Sequence, residues 1–129
     1  MEVRIYYEDT DCGGVVYYAN YLRFLERART EFLRERGIEL AELAKRGILF
    51  AVVSVQLNYR LPALYNGLLS IDLWVSSISR ASFCFSHKIR RKGETGVLCD
   101  GEIALACVDS QFKPRGIPEE VRTLVVRPC

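Results

Sequence analysis

One long amphipathic helical pattern, set ahead of a run of long strand-like segments, limits the folds open to this chain. Tyr21, Phe24, Leu25, Ala28, Phe32 and Leu33 recur mostly at three and four residues, while Arg23, Glu26, Arg27, Arg29, Glu31 and Arg34 fill the opposite face. Asn20 reads as the N-cap and Gly37 as the stop. A shorter helix follows at about Glu39 to Arg46. From Ile48 the period changes. Ile48–Leu61, Leu68–Ser79, Ser82–Lys92, Val97–Asp109 and Arg122–Val126 read as strands, as does Glu2–Glu8 at the amino end. In Ser82–Lys92, Phe83, Phe85, His87 and Ile89 alternate with Ser82, Cys84, Ser86, Lys88 and Arg90, the period of a half-buried strand. The connections are short and turn-like, so the strands are expected to be mostly antiparallel. Such a helix followed by such strands predicts an α+β domain in which the helix covers one face of the sheet.

The 129 residues suit a single domain spanning 1–129. Half of them are hydrophobic, enough for a core that needs no disulfide or metal staple. Eighteen basic against sixteen acidic side chains leave +2, too balanced a charge to point to nucleic acid. No run is long and apolar enough for a transmembrane helix, and Met1 opens onto Glu, Val and Arg rather than onto a signal sequence. The five cysteines, Cys12, Cys84, Cys99, Cys107 and Cys129, are odd in number, and no pair has the spacing of a zinc or redox motif. With one histidine in the chain, no metal site is expected. Reduced thiols in a cytoplasmic protein, mostly small core residues, is the expectation.

Chemistry concentrates in residues 6–30, YYEDTDCGGVVYYANYLRFLERART. Glu8, Asp9 and Asp11 lie against Gly13-Gly14 and just before the long helix. Glycines let backbone approach a ligand closely, and a helix start offers unpaired N–H groups with a partial positive charge. An acyl carbonyl placed there would find its developing oxyanion stabilised. A carboxylate beside it could attack the carbonyl or activate a water. The competing local reading is an Asx-type turn with ordinary capping.

The pieces Tyr7-Glu8-Asp9-Thr10-Asp11, Gly14-Val15-Val16-Tyr17, Asn20-Tyr21 and Glu26-Arg27-Ala28-Arg29-Thr30 resemble the signature of acyl-CoA thioesterases of the 4-hydroxybenzoyl-CoA thioesterase type. The likeness is strongest to their Tol–Pal-associated branch, which the ending Lys113-Pro114-Arg115 with Ile117-Pro118 also resembles. The resemblance implies the hot-dog fold, a long helix wrapped by a curved antiparallel sheet. It implies Asp11 as the catalytic carboxylate and the backbone N–H of Tyr18 as the group that polarises the thioester carbonyl, with the helix starting near Tyr18. Tyr18 stands where that branch often has a histidine, so a backbone role is implied there and a side-chain role is not. No cofactor is implied. Homodimers joined edge to edge, often paired into homotetramers, are implied, with active sites at the dimer interface.

Other candidates belong to substrate binding. Arg90, Arg91 and Lys92 form a basic strand end before Gly93, either a solvated hairpin tip or a site for the phosphates of coenzyme A. Lys113 and Arg115 are a similar case. Tyr17, Tyr18 and Tyr21 could line an acyl pocket or simply pack. Cys12 has carboxylate neighbours, which raise a thiol pKa, and reads as a bystander. His87 reads as a hydrogen-bonded core or interface residue. The leading expectation is therefore hydrolysis of an acyl-CoA to a free acid and CoA. A hot-dog hydratase or dehydratase and a non-catalytic acyl-CoA-binding module stand as alternatives. The acyl group, and the choice between CoA and acyl carrier protein, stay open. Leu68–Ser79 and Val97–Asp109 are apolar enough that part of their outer surface is expected to seek a partner chain.

Overall fold

The computed structural model describes residues 1–126; Cys129 lies outside them. The elements in chain order are β1 (Glu2–Arg4), α1 (Asn20–Glu35), α2 (Leu40–Lys45), β2 (Leu49–Tyr59), β3 (Leu68–Ile78), β4 (Ser82–Arg91), β5 (Val97–Val108) and α3 (Glu119–Val125), with a short 3-10 turn at Tyr7–Asp9. The strands form one five-stranded antiparallel sheet in the order β1-β3-β4-β5-β2. It curls into a half-barrel around α1, as the resemblance implies.

The helical stripe behaves as its period predicts. Tyr21, Phe24, Leu25, Ala28, Phe32 and Leu33 are all buried. Two clusters meet along the helix. Tyr21, Phe24, Leu25 and Ala28 pack with Leu69, Ile71, Ile89 and Ile103, whereas Phe32 and Leu33 pack with Phe83, Phe85, Leu105 and Cys107. Burying each Leu, Ile or Phe among these is worth about 1.5–3 kcal/mol, so α1 is held by its apolar face.

Three local expectations change. Glu2–Glu8 is strand only to Arg4, because Asp9 Oδ2 accepts from the Tyr6 N–H at 2.9 Å and closes the chain into the 3-10 turn. Asn20 is the first residue inside α1 rather than its cap, and a turn at residues 18–19 leads in, with the Asn20 N–H on the Tyr17 carbonyl at 2.8 Å. Its side chain instead donates from Nδ2 to the Asp9 carbonyl at 2.9 Å. Of Arg122–Val126, expected as strand, Arg122–Val125 belongs to α3 and Val126 caps it. Val121 and Val125, four residues apart, bury one helical face in the second cluster, and Glu119 and Glu120 favour the helix start.

The strand order sets which edges of the sheet are open. β5 is paired on both sides, with β4 and with β2, so it offers no free edge. The edge strand at that end is β2, where Val52, Val53 and Val55 are exposed. At the other end β1 pairs only Leu68–Ser70 of β3, leaving the rest of that edge without a strand partner among the described residues. Cys99 and Cys107 are buried, Cys84 is half-buried and Cys12 is exposed, all as free thiols.

Candidate active site

The loop before α1 is pinned from several directions. Thr10 bridges Val16, Val15 bridges Leu64, and the Val16 N–H donates to the Ala63 carbonyl at 2.8 Å. The Asp9 carbonyl accepts both the Tyr17 N–H at 2.9 Å and the Asn20 amide, so Asp9 ties the loop to the start of α1. With its carboxylate also spent on the Tyr6 N–H, Asp9 is a structural residue.

Asp11 sits at the turn itself. Its N–H donates to the Val15 carbonyl at 2.8 Å, and its Oδ1 accepts from the Gly13 N–H at 2.7 Å. The local Asx-type reading is therefore present in the structure. It uses one carboxylate oxygen; Oδ2 has no partner among the described residues. A Cβ at Gly13 would stand 3.2 Å from Oδ1, and Gly14 takes a positive φ of 80°, so the Gly-Gly pair lets the chain fold back tightly around this carboxylate.

Asp11 lines an open groove of about 320 Å³ together with Tyr18, Tyr21, Tyr59, Arg60 and Pro62. The Tyr18 N–H donates to no acceptor among the described residues, while its carbonyl accepts the Tyr59 hydroxyl at 3.0 Å. That contact joins the α1 entry to the end of β2. Tyr21 is buried at the back, and burial pushes its phenol up to about 12. Cys99, buried nearby, is likewise pushed up to about 12 by burial, so it is a neutral thiol.

The other expected site residues lie elsewhere. Tyr17 does not line the groove. Its ring packs on that of Tyr18 with centroids 4.7 Å apart, and the hydrogen bond with Tyr18 raises its pKa. Arg90, Arg91 and Lys92 are outside the groove, and each faces an acid: Arg90 with Asp72 at 2.5 Å, Arg91 with Glu94 at 3.8 Å, Lys92 with Glu2 at 2.9 Å. They sit at the same end of the sheet as the groove. The β4–β5 turn reaches it at Gly96, where an added Cβ would stand 3.7 Å from Leu61 Cδ1, a groove residue. His87 is buried on the sheet face toward α1, but neither ring nitrogen has a hydrogen-bond partner among the described residues, contrary to expectation. Burial lowers its pKa to about 4. Tyr59, Arg60 and Pro62 were not singled out by the sequence reading. They stand about fifty residues from Asp11 in the chain, and only strand pairing brings them to it. Among the described residues no cluster of His, Cys, Asp and Glu could hold a metal ion, and no helix is long and apolar enough to cross a membrane.

Known proteins resemble this chain in sequence and in fold. The chain is 39% identical over 122 residues to the acyl-CoA thioesterase YbgC of Haemophilus influenzae, covering 93% of this chain and 88% of that one. A probable thioesterase from Bartonella henselae matches in three dimensions with a TM-score of 0.85 at 34% identity, over 92% of this chain and 97% of that chain. A hypothetical protein from Aquifex aeolicus matches with a TM-score of 0.90 at 26% identity, over 97% of both. The family model that fits the sequence, over residues 6–125, is that of the thioesterase-like superfamily, and the chain belongs to that superfamily.

Proposed function

We propose that this protein is an acyl-CoA thioesterase, converting an acyl-CoA and water to a carboxylic acid and free CoA. The observation that carries the reading is the shared groove, which holds an unpartnered carboxylate oxygen of Asp11 and the unpartnered backbone N–H of Tyr18 at the entry to α1. The Tyr18 N–H binds the thioester carbonyl and stabilises the oxyanion that develops on it. Asp11 either adds to the carbonyl carbon, giving an acyl anhydride that water then opens, or takes a proton from the attacking water. In both routes the C–S bond breaks and the thiolate of CoA leaves. The alternative of a hydratase, which would want a histidine beside the thioester, is disfavoured because His87 is buried on another strand and lines no part of the groove. Tyr21 closes the acyl end.

The phosphates of CoA are assigned to Arg90, Arg91 and Lys92, at the turn adjoining the groove, and Tyr17 supports Tyr18 rather than touching the acyl group. The molecule works as a homodimer joined along β2, or as a homotetramer of such dimers, in the cytoplasm. Support for the assembly comes from the exposed valines of an eleven-residue edge strand that ends at the groove.

Asp11→Asn keeps size and much of the hydrogen bonding but removes the reacting oxygen. Turnover, followed by thiol release, is expected to fall by roughly two to four orders of magnitude, with an unchanged circular dichroism spectrum. Near-normal turnover would overturn the assignment. Cys12→Ala is expected to retain most activity, since Cys12 does not line the groove.

A further inference from the structure

Arg60 is the one cationic side chain that lines the Asp11 groove among the described residues. It follows β2 directly, and its backbone N–H donates to the Leu98 carbonyl at 2.8 Å, so its main chain is anchored to the sheet. Its side chain is anchored as well. Nε donates to Asp100 Oδ2 at 2.7 Å, and Asp100 Oδ1 accepts from Asn58 Nδ2 at 3.0 Å. These two hydrogen bonds, Arg60 first, hold the Asp100 carboxyl below its usual range. Arg60, Asp100 and Asn58 thus form a fixed triad across β2 and β5. The triad uses only Nε. Both terminal nitrogens of the guanidinium are without a partner among the described residues. A guanidinium held at Nε presents its two remaining nitrogens as a flat fork, the shape that takes both oxygens of a planar anion.

We propose that Arg60 is a specificity-determining residue of this groove, binding an anionic oxygen group, a carboxylate above all, on the acyl part of the thioester. The assignment rests on the thioesterase reading and goes beyond it by naming a substrate class. Two sources of an anion exist in such a substrate, the phosphates of the carrier and a charged acyl group. The groove favours the acyl side. At about 320 Å³ it is at the small end of ligand pockets, room for a thioester and a short acyl chain. Asp11, which must reach the thioester carbon, lines the same groove as Arg60, whereas the diphosphate stands at the far end of the long pantetheine arm. An acyl chain with an anionic end therefore brings its charge to Arg60 while its carbonyl lies at Tyr18.

The test compares glutaryl-CoA with pentanoyl-CoA, which have the same chain length and differ in a terminal carboxylate against a methyl group. The wild type is expected to favour glutaryl-CoA in kcat/KM by about tenfold or more, because a fork built for an anion is left unsatisfied by a methyl group. In Arg60→Gln that ratio is expected to collapse toward one, and in Arg60→Lys to keep part of its value. An unchanged ratio in Arg60→Gln, or no preference in the wild type, overturns the proposal. Glutaryl-pantetheine, which lacks the carrier phosphates, is expected to show the same Arg60→Gln penalty; loss of the penalty would give Arg60 to the carrier and overturn the acyl assignment. Calorimetric binding of the non-hydrolysable thioether analogues of both substrates repeats the comparison without catalysis. It therefore separates failure at Arg60 from failure of the thioesterase reading, which Asp11→Asn tests. Light scattering and the thermal midpoint of Arg60→Gln are expected to match the wild type; a dissociated variant would place Arg60 in a subunit contact and overturn the proposal.

Discussion

His87 sits in the middle of β4, 1% exposed, paired in register with Leu73 and Gly101 and with both ring nitrogens lacking partners among the described residues. Its pKa falls from an ordinary 6.5 to about 4, through burial, which outweighs the opposing pull of Asp100. The unfolded chain therefore binds a proton more readily than the folded one. The stability that the buried neutral His87 contributes is full above about pH 6.5 and is lost as pH falls from there toward about 4. The shift corresponds to on the order of 3 kcal/mol at most, at 1.36 kcal/mol per unit. Urea midpoints at pH 7 and pH 5 are expected to fall for the wild type by more than for His87→Leu. Equal falls would remove His87 from the acid response. The strand period read from the sequence placed His87 correctly with Phe83, Phe85 and Ile89. The missing hydrogen bonds were not legible, since they depend on which side chains the other strands bring opposite.

At the scale of elements, β5 carries a sharp local constraint at Gly101. Its φ is +154°, and a Cβ there would stand 1.9 Å from the Gln56 carbonyl oxygen on β2. Backbone meets backbone, so no side chain can move aside. Gly101→Ala is expected to destabilise the fold by more than about 3 kcal/mol, beyond the usual range for overpacking, and to show as a lowered thermal midpoint. A midpoint within a degree or two of the wild type would mean that β2 yields. Nothing in the sequence marks Gly101 apart from the turn glycines, because its partner lies 45 residues away. The long helix was legible because seven of its sixteen residues are buried on one repeating face. α3 is not legible as a helix because Val121 and Val125 lie in a short valine-rich segment where a strand and one helical turn or two share the same composition.

For the whole molecule, the proposed assembly makes a prediction of its own. β2 is an edge strand with a bulge between Val52 and Ser54, and the bulged residue, Val53, is 61% exposed. Val53→Lys places a charge on that edge, the usual device against strand pairing. The mass by light scattering is expected to fall to that of one chain, and turnover to fall with it if the groove is completed across the edge. Dilution of the wild type below its dissociation constant is expected to do the same. A fully active single chain would overturn both the pairing and the shared site. The amphipathic helix, the antiparallel strands and the loop from Asp11 through Gly13-Gly14 to Tyr18 are legible in the amino-acid order, because each rests on contacts within a few residues or on a repeating period. Which strand edges stay open, the joining of Tyr59 and Arg60 to Asp11 in one groove, and the place of Arg90, Arg91 and Lys92 outside it emerge in the folded chain. Those outcomes depend on strand order and register, which are set by packing between residues far apart in the chain.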